Sequence, residues 1–483
     1  MRRTGRRAFW GLAAAALAAA APLACREPAR ARPPNLVLVS VDSLRADHLH
    51  AYGYPRETSP TFDRLAREGA RFESAVSTTS WTLPAHAALF TGLYDSTHGL
   101  VDNGLRLAPE LTTLAETLAR AGYHTAGFYG GPYLHPTFGL SDGFEVWESC
   151  MTAVPGELSD AELRAESRAP RARSHGDVTG PRTLERVARW AERQPRERPF
   201  FLFVHLWDVH YDFIPPPPYD RLFDPDYRGT LTGVDFMGNL AVNRRMDRRD
   251  LEHLVALYDG EIRFTDDVLG RLLDDLRARG LLGDALVVVT ADHGEEFFEH
   301  GRKGHQKTLF DEVVRVPLVL HWPGRLPAGR VVPDQVRLVD LAPTLLAAAG
   351  VPAPAGVDGR DVLPLARGEP LAPQDALLEL YADGRDQRAL RTRELKAYAR
   401  RGRRGRPPAE VGYDLRVDPG ERVPLRRRDD ARVDAAFASL DRARAAALAR
   451  RRELGGGARE TAVDDETRRR LEQLGYLDGA RDK

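Results

Sequence analysis

Four short apolar runs, each stopping at a cluster of acids and imidazoles, constrain this chain more than any other feature. Leu36–Val41 runs into Asp42, and residues 200–204 run into His205, Asp208 and His210. Residues 285–289 run into Thr290, Asp292 and His293, and residues 316–320 stop at His321. The runs are β-rich and unbroken rather than alternating, the pattern of strands covered on both faces. Helical patterns lie between them, at residues 58–69, 111–122 and 250–280. The last carries an apolar stripe of Leu254, Leu257, Leu269, Leu272, Leu273 and Leu276. This alternation predicts an α/β fold with a large, mostly parallel sheet covered by helices on both faces. Such sheets bind ligands beyond the carboxyl ends of their strands, which is where the polar clusters fall. The clusters therefore read as one site.

Beyond about Gly350 the character changes. Val351-Pro352-Ala353-Pro354 marks a boundary, and residues 351–483 read as a smaller α+β subdomain with a helical tail. Its expected parts are strands at 376–381 and 390–398, a basic hairpin tip at 400–408 and a charged helix at 427–454. Two stretches poor in core residues, 152–181 and 214–245, read as surface insertions bordering a substrate cleft. The N-terminus is of another kind. Two arginine pairs precede an apolar run from Gly11 to Leu23, so residues 1–25 read as a secretion signal. Arg6-Arg7-Ala8-Phe9 resembles a twin-arginine signal, and Cys25, after Pro22-Leu23-Ala24, resembles a lipid-attachment site. Residues 26–34 then form a tether, rich in Arg, Ala and Pro. The expected location is exported, periplasmic or at the outer surface, with contact to a membrane only through an anchor at Cys25. Lys+Arg and Asp+Glu number 70 each, a balance that argues against nucleic acid as a partner. Of the two cysteines, Cys150 has no intrachain partner once Cys25 is lipidated or removed, so the fold must rest on its core.

The chemistry starts at Ser80-Trp81-Thr82-Leu83-Pro84-Ala85-His86. Pro84 suits a first helical turn, which places Thr82 near the cap, facing free backbone N–H groups and the positive end of the helix dipole. Alone, the segment reads as a plain threonine cap. Asp42, Asp292 and His293 change that reading. Two carboxylates and an imidazole at neighbouring strand ends would bind a divalent cation, and a cation at Thr82 would lower the pKa of its hydroxyl.

The motifs resemble the sulfatase family of the alkaline-phosphatase superfamily. They run from Asn35 through Asp42-Ser43-Leu44-Arg45-Ala46-Asp47 to Tyr52-Gly53, then Thr82-Leu83-Pro84-Ala85-His86 with Thr91-Gly92. Thr290-Ala291-Asp292-His293-Gly294-Glu295 follows, with Glu299-His300-Gly301, Gly304-His305 and Arg315-Val316-Pro317; Tyr413-Asp414-Leu415 with Asp418-Pro419 and Glu421 resembles a late strand of the family. The resemblance implies metal ligation by Asp42, Thr82, Asp292 and His293, with Thr82 as nucleophile. It implies His210 and His305 as catalytic groups on the leaving-group side, and His86 and Asn103 as substrate-binding residues. It further implies one divalent metal ion, with an alternative second ion at Asp208, His210 and His305. His205 reads as a core histidine, and His98, His300 and His321 as turn-shaping residues.

The chain also departs from that family. Cys or Ser, oxidised to formylglycine, is expected where Thr82 stands; the extra methyl of threonine would give a ketone instead, so no formylglycine is expected. His86 replaces an arginine, His293 an asparagine, and Ser43 a common second aspartate. An imidazole ligand favours zinc or manganese, with calcium or magnesium as alternatives. The expected substrate is a small-molecule, glycan or lipid ester, with phosphate or phosphonate placed slightly ahead of sulfate. A formylglycine-independent sulfatase, a head-group transferase and a non-catalytic binding protein are the alternatives.

Overall fold

The computed structural model describes residues 32–151, 177–382, 384–402 and 409–461. The signal segment, Cys25 and residues 26–31 of the tether lie outside the described residues. So do most of the first insertion (152–176), the hairpin-tip residues 403–408 and the tail from 462.

The large sheet has nine strands. They are β1 (Leu36–Val41), β2 (Ala70–Val76), β3 (His124–Tyr129), β4 (Val146–Ser149), β5 (Phe200–Leu206), β6 (Leu286–Ala291), β7 (Arg315–Val316), β8 (Leu318–His321) and β9 (Arg330–Arg337). The order is β7-β2-β8-β6-β1-β5-β3-β4, with β9 on the far side of β2. The central strands β1, β5 and β6 are buried throughout, as their unbroken apolar runs require. One expected run behaves differently. Residues 316–320 are broken by Pro317, which cannot donate to a ladder, and β8 lies antiparallel to both β2 and β6. The sheet is therefore mostly parallel, with this one segment reversed.

Two groups of helices flank the sheet. Pro60–Glu68, Gly180–Arg193 and Arg248–Ala278 pack together, and so do α-helices Thr82–Thr91, Leu114–Arg120 and Leu341–Ala349. The helix expected over 111–122 begins only at Leu114, because Thr113 and Glu116 close a capping box there.

A second, antiparallel sheet is formed by β10 (Ala376–Leu380), β11 (Gln387–Arg391), β12 (Leu395–Arg400), β13 (Ala409–Asp414) and β14 (Leu425–Arg426). The strand expected over 390–398 is in fact two strands. Thr392 Oγ1 accepts from Leu395 N (2.9 Å) and Glu394 N (3.1 Å), which turns the chain between β11 and β12. Arg400 pairs with Ala409 at the end of the β12–β13 ladder, and residues 403–408 of the basic stretch lie outside the described residues. Helix Ala431–Glu453 covers one face of this sheet through Val433, Phe437 and Leu440. The other face meets the large sheet's loops through buried charge. Arg391 and Lys396 pair with Asp311 (both 2.7 Å), and Lys396 also pairs with Glu421 (2.8 Å).

Candidate active site

Register brings the site together. Val41 lies opposite both Leu206 and Ala291, so the residues that follow leave the sheet side by side. Asp42 N still donates to Leu206 O (2.9 Å), extending the ladder by one step. Ser43 then adopts a positive φ of 54°, an uncommon conformation for a residue with a side chain. The turn aims Ser43 N at Asp292 Oδ1 (3.2 Å), while Ser43 Oγ donates to Asp42 Oδ1 (2.7 Å). On the neighbouring strand end, the chain after Asp292 and His293 passes so close to Glu312 that a Cβ at Gly294 would lie 2.1 Å from its carbonyl oxygen. Only glycine fits there.

Thr82 is the first residue of its helix, not the cap. Trp81 holds the cap position and makes no side-chain capping bond. The threonine hydroxyl turns instead toward the strand ends, donating to Asp42 Oδ2 and meeting His293 Nε2, both at 3.3 Å. The reading of a plain cap fails for this reason: the backbone N–H groups have no share in that oxygen. His86, one turn on, donates from Nδ1 to the Thr82 carbonyl (2.9 Å), so its Nε2 accepts from Ser40 Oγ (3.1 Å). It fixes where Thr82 sits. Burial, reinforced by the neighbouring His205, pushes its pKa down to about 3, so it does not reproduce the charge of the arginine it replaces.

The ligand-bearing atoms of Asp42, Asp292 and His293 lie within 4.8 Å of one another, and all three residues are fully buried. Their hydrogen bonds fit a cation. His293 Nδ1 donates to Gly294 O (2.9 Å), which leaves the Nε2 lone pair facing both carboxylates. Asp292 Oδ2 is buried without a hydrogen-bond partner. Burial raises the Asp292 pKa, and the facing Asp42 raises it further. Burial also acts upward on Asp42, but the nearby imidazoles of His205, His210 and His293 outweigh it and hold that carboxyl well below its usual range. Without a cation, the pair prefers a single negative charge.

His205 is missed by sequence reasoning. Its Nδ1 donates to Gly130 O (2.8 Å), and its Nε2 stands 3.4 Å from Asp42 Oδ2. It is buried as a core residue would be, yet it contacts the site from below. The signal was its place near the end of an apolar strand; nothing local distinguished it from Phe201 and Phe203.

Above the carboxylates, three imidazoles form a row. His293 and His305 rings are 4.4 Å apart, and His305 and His210 are 5.0 Å apart. His210 stacks on Trp207 (3.9 Å), with Nδ1 donating to Tyr211 O (2.6 Å). His305 Nδ1 is 3.4 Å from Glu295 Oε2. Glu295, read from sequence only as part of a motif, is fully buried, and burial pushes its pKa up to about 8. Asp208 does not join this row: it accepts from Thr179 N (2.5 Å) and Thr179 Oγ1 (3.2 Å), at the start of helix Gly180–Arg193. The alternative second metal set of Asp208, His210 and His305 is therefore not assembled. Asn103 lies half-buried in a turn and makes no hydrogen bond to these residues. His98 closes a short helix, its Nδ1 accepting from Leu100 N (3.0 Å). His300 stacks on Phe310 and bonds Glu312, and His321 pairs with Glu68 (3.5 Å).

A hydroxyl held between a carboxylate and an imidazole, beside a carboxylate pair that could hold a cation, is the equipment of a metal-dependent ester hydrolase. The family model for sulfatases matches residues 34–351, and the chain belongs to the sulfatase family, whose members hydrolyse ester bonds. It is 28% identical over 388 residues to the ulvan-active sulfatase of Formosa agariphila, covering 76% of this chain and 73% of that one. Among solved structures, the fold is similar to a protein in complex with its substrate D-glucosamine-2-N,6-O-disulfate (TM-score 0.70, 19% identity, 86% of this chain and 98% of that one). It is equally similar to the phosphonate monoester hydrolase of Agrobacterium radiobacter (TM-score 0.69, 23% identity, 87% and 96%).

Proposed function

We propose that the protein hydrolyses a phosphate or phosphonate ester through Thr82, with sulfate esters as the second reading. The observation that carries this is the Thr82 hydroxyl itself, buried and bonded at 3.3 Å to both Asp42 and His293. A threonine here cannot become formylglycine, so the oxygen that attacks is its own. A divalent cation held by Asp42, Asp292 and His293, with Thr82, would supply the Lewis acidity that lowers the hydroxyl's pKa. The imidazole among those donors favours zinc or manganese.

The residues divide the work. Thr82 Oγ1 loses its proton to solvent and forms a bond to phosphorus, while the bond to the leaving oxygen breaks. His305, with His210 beside it, gives that oxygen a proton. Water then cleaves the phosphothreonine, releasing phosphate and restoring the hydroxyl. His86 holds the backbone of Thr82 throughout. The sulfate reading draws on the likeness to the ulvan-active sulfatase of Formosa agariphila and uses the same attack at sulfur. Export, with anchoring at Cys25, completes the proposal.

The test is to assay aryl phosphodiester, phosphonate, phosphomonoester and sulfate esters with added manganese or zinc, alongside Thr82→Ala, and to look for phosphothreonine by mass spectrometry. Activity that survives Thr82→Ala removes the nucleophile, and a preference for the sulfate ester reverses the order of the two readings.

A further inference from the structure

The stretch 214–245 holds little core: of its large apolar side chains Phe236 and Val242 are buried, while Leu240 is 91% exposed. Its segment 235–242 is nevertheless tied down twice, and both ties lie beside the imidazoles of the upper row. Asp212, two residues after His210, is buried, and its carboxylate accepts from Asp235 N (2.5 Å) and Phe236 N (2.7 Å). Lys303, two residues before His305, takes the same segment by its carbonyls. Its ammonium donates to Phe236 O (2.6 Å), Val242 O (2.7 Å) and Asn239 O (3.2 Å). Three carbonyls use all three N–H groups of an ammonium, so Lys303 keeps no donor for a substrate. The Lys303 backbone is anchored in its turn by a short antiparallel pair, with Phe297 opposite Lys303 and Glu296 opposite Gly304. The rings repeat the arrangement. Phe236 lies 6.2 Å from Tyr211, and Tyr211 lies 4.1 Å from His210 and 5.2 Å from His305.

We propose that Lys303 is a positioning residue: by clamping segment 235–242, which Asp212 holds by its N–H groups, it sets the spacing of His210 and His305, whose rings stand 5.0 Å apart. The inference deepens the proposed hydrolysis and rests on the reading that these imidazoles protonate the leaving oxygen. The physical reason is preorganisation. A proton donor displaced by about 1 Å loses much of its effect. A loop with so few buried side chains keeps its place through polar ties, and these ties join the two chain segments that carry the rings.

The test compares the full chain, supplied with manganese or zinc, with Lys303→Met, which keeps an aliphatic stem and removes the ammonium. A second variant, Asp212→Ala, removes the other tie. Hydrogen exchange needs no turnover. The amides of Asp235 and Phe236, bonded to Asp212, and of Asn239 and Val242, bonded to Asp235 O and Asn239 O, report on the clamp. Their exchange should speed up about tenfold or more in both variants, with β1, β5 and β6 unchanged. In Lys303→Met, kcat/KM should fall about tenfold for esters of poor leaving groups and hardly at all for nitrophenyl esters. Unchanged exchange at 235–242, or a loss that is uniform across leaving groups, overturns the proposal. His305→Ala separates the two readings. If it slows esters of poor leaving groups and Lys303→Met does not, the clamp has no part in positioning. If His305→Ala itself shows no such dependence, the proton-donor reading falls, while the exchange rates still decide the clamp.

Discussion

The floor of the site and the cavity between the 300–310 turn and the antiparallel sheet handle charge in opposite ways. On the floor, Asp42, Asp292, His205 and His293 are all fully buried, and the carboxylates outnumber any fixed cation. Such a place must take up either a proton or an ion from outside, because buried like charges raise each other's free energy. The cavity is half-exposed and lined with arginines from the chain itself. Water screens those cations. The difference teaches that charge buried in a protein must be matched by a proton or an ion, while charge left wet is matched by solvent.

The largest effect is expected at the hydroxyl above the floor. Thr82→Ala should lower kcat/KM by about 10³-fold or more, as removing a nucleophile commonly does. Thr82→Ser should keep most of the activity, since the hydroxyl survives; equal loss in both would mean that the methyl group, not the oxygen, matters. Next comes the floor. Asp292→Ala, or exhaustive chelation of the wild type, should cost at least ~10²-fold in activity. Chelation should also lower the melting temperature, because a bound ion at 100 to 1,000 times its Kd contributes roughly 3–4 kcal/mol. Calorimetric scans that coincide with and without chelator would show that no ion completes the carboxylate pair.

A smaller effect is expected at Glu295. Its contact with His305 Nδ1 orients that ring, so Glu295→Gln should slow esters of poor leaving groups about tenfold while sparing nitrophenyl esters. A uniform loss across leaving groups would point to packing instead.

Much of this was legible from residue order. The unbroken runs at 36–41 and 200–204 announced covered strands, because only apolar side chains can occupy both faces of a central strand. Asp42, Asp292 and His293 could be picked out as candidate ligands because the carboxyl ends of parallel strands gather polar residues at one edge of the sheet. The small sheet was read less well, since one hydroxyl, Thr392, divided a run of β-formers and no periodicity reveals such a turn. Thr82 could be placed at a helix start but not oriented, for a side chain's direction depends on what faces it. The sequence by itself therefore determined which strands would be central and which residues would stand at their ends, because hydrophobic periodicity is local. Only the tertiary structure decided that His205 looks up at Asp42, that Asp208 turns away to Thr179, and that arginines at 302, 385, 400 and 401 share one cavity. Those are meetings across tens to hundreds of residues, fixed by strand register and by the docking of one sheet against another's loops, and no local pattern encodes them.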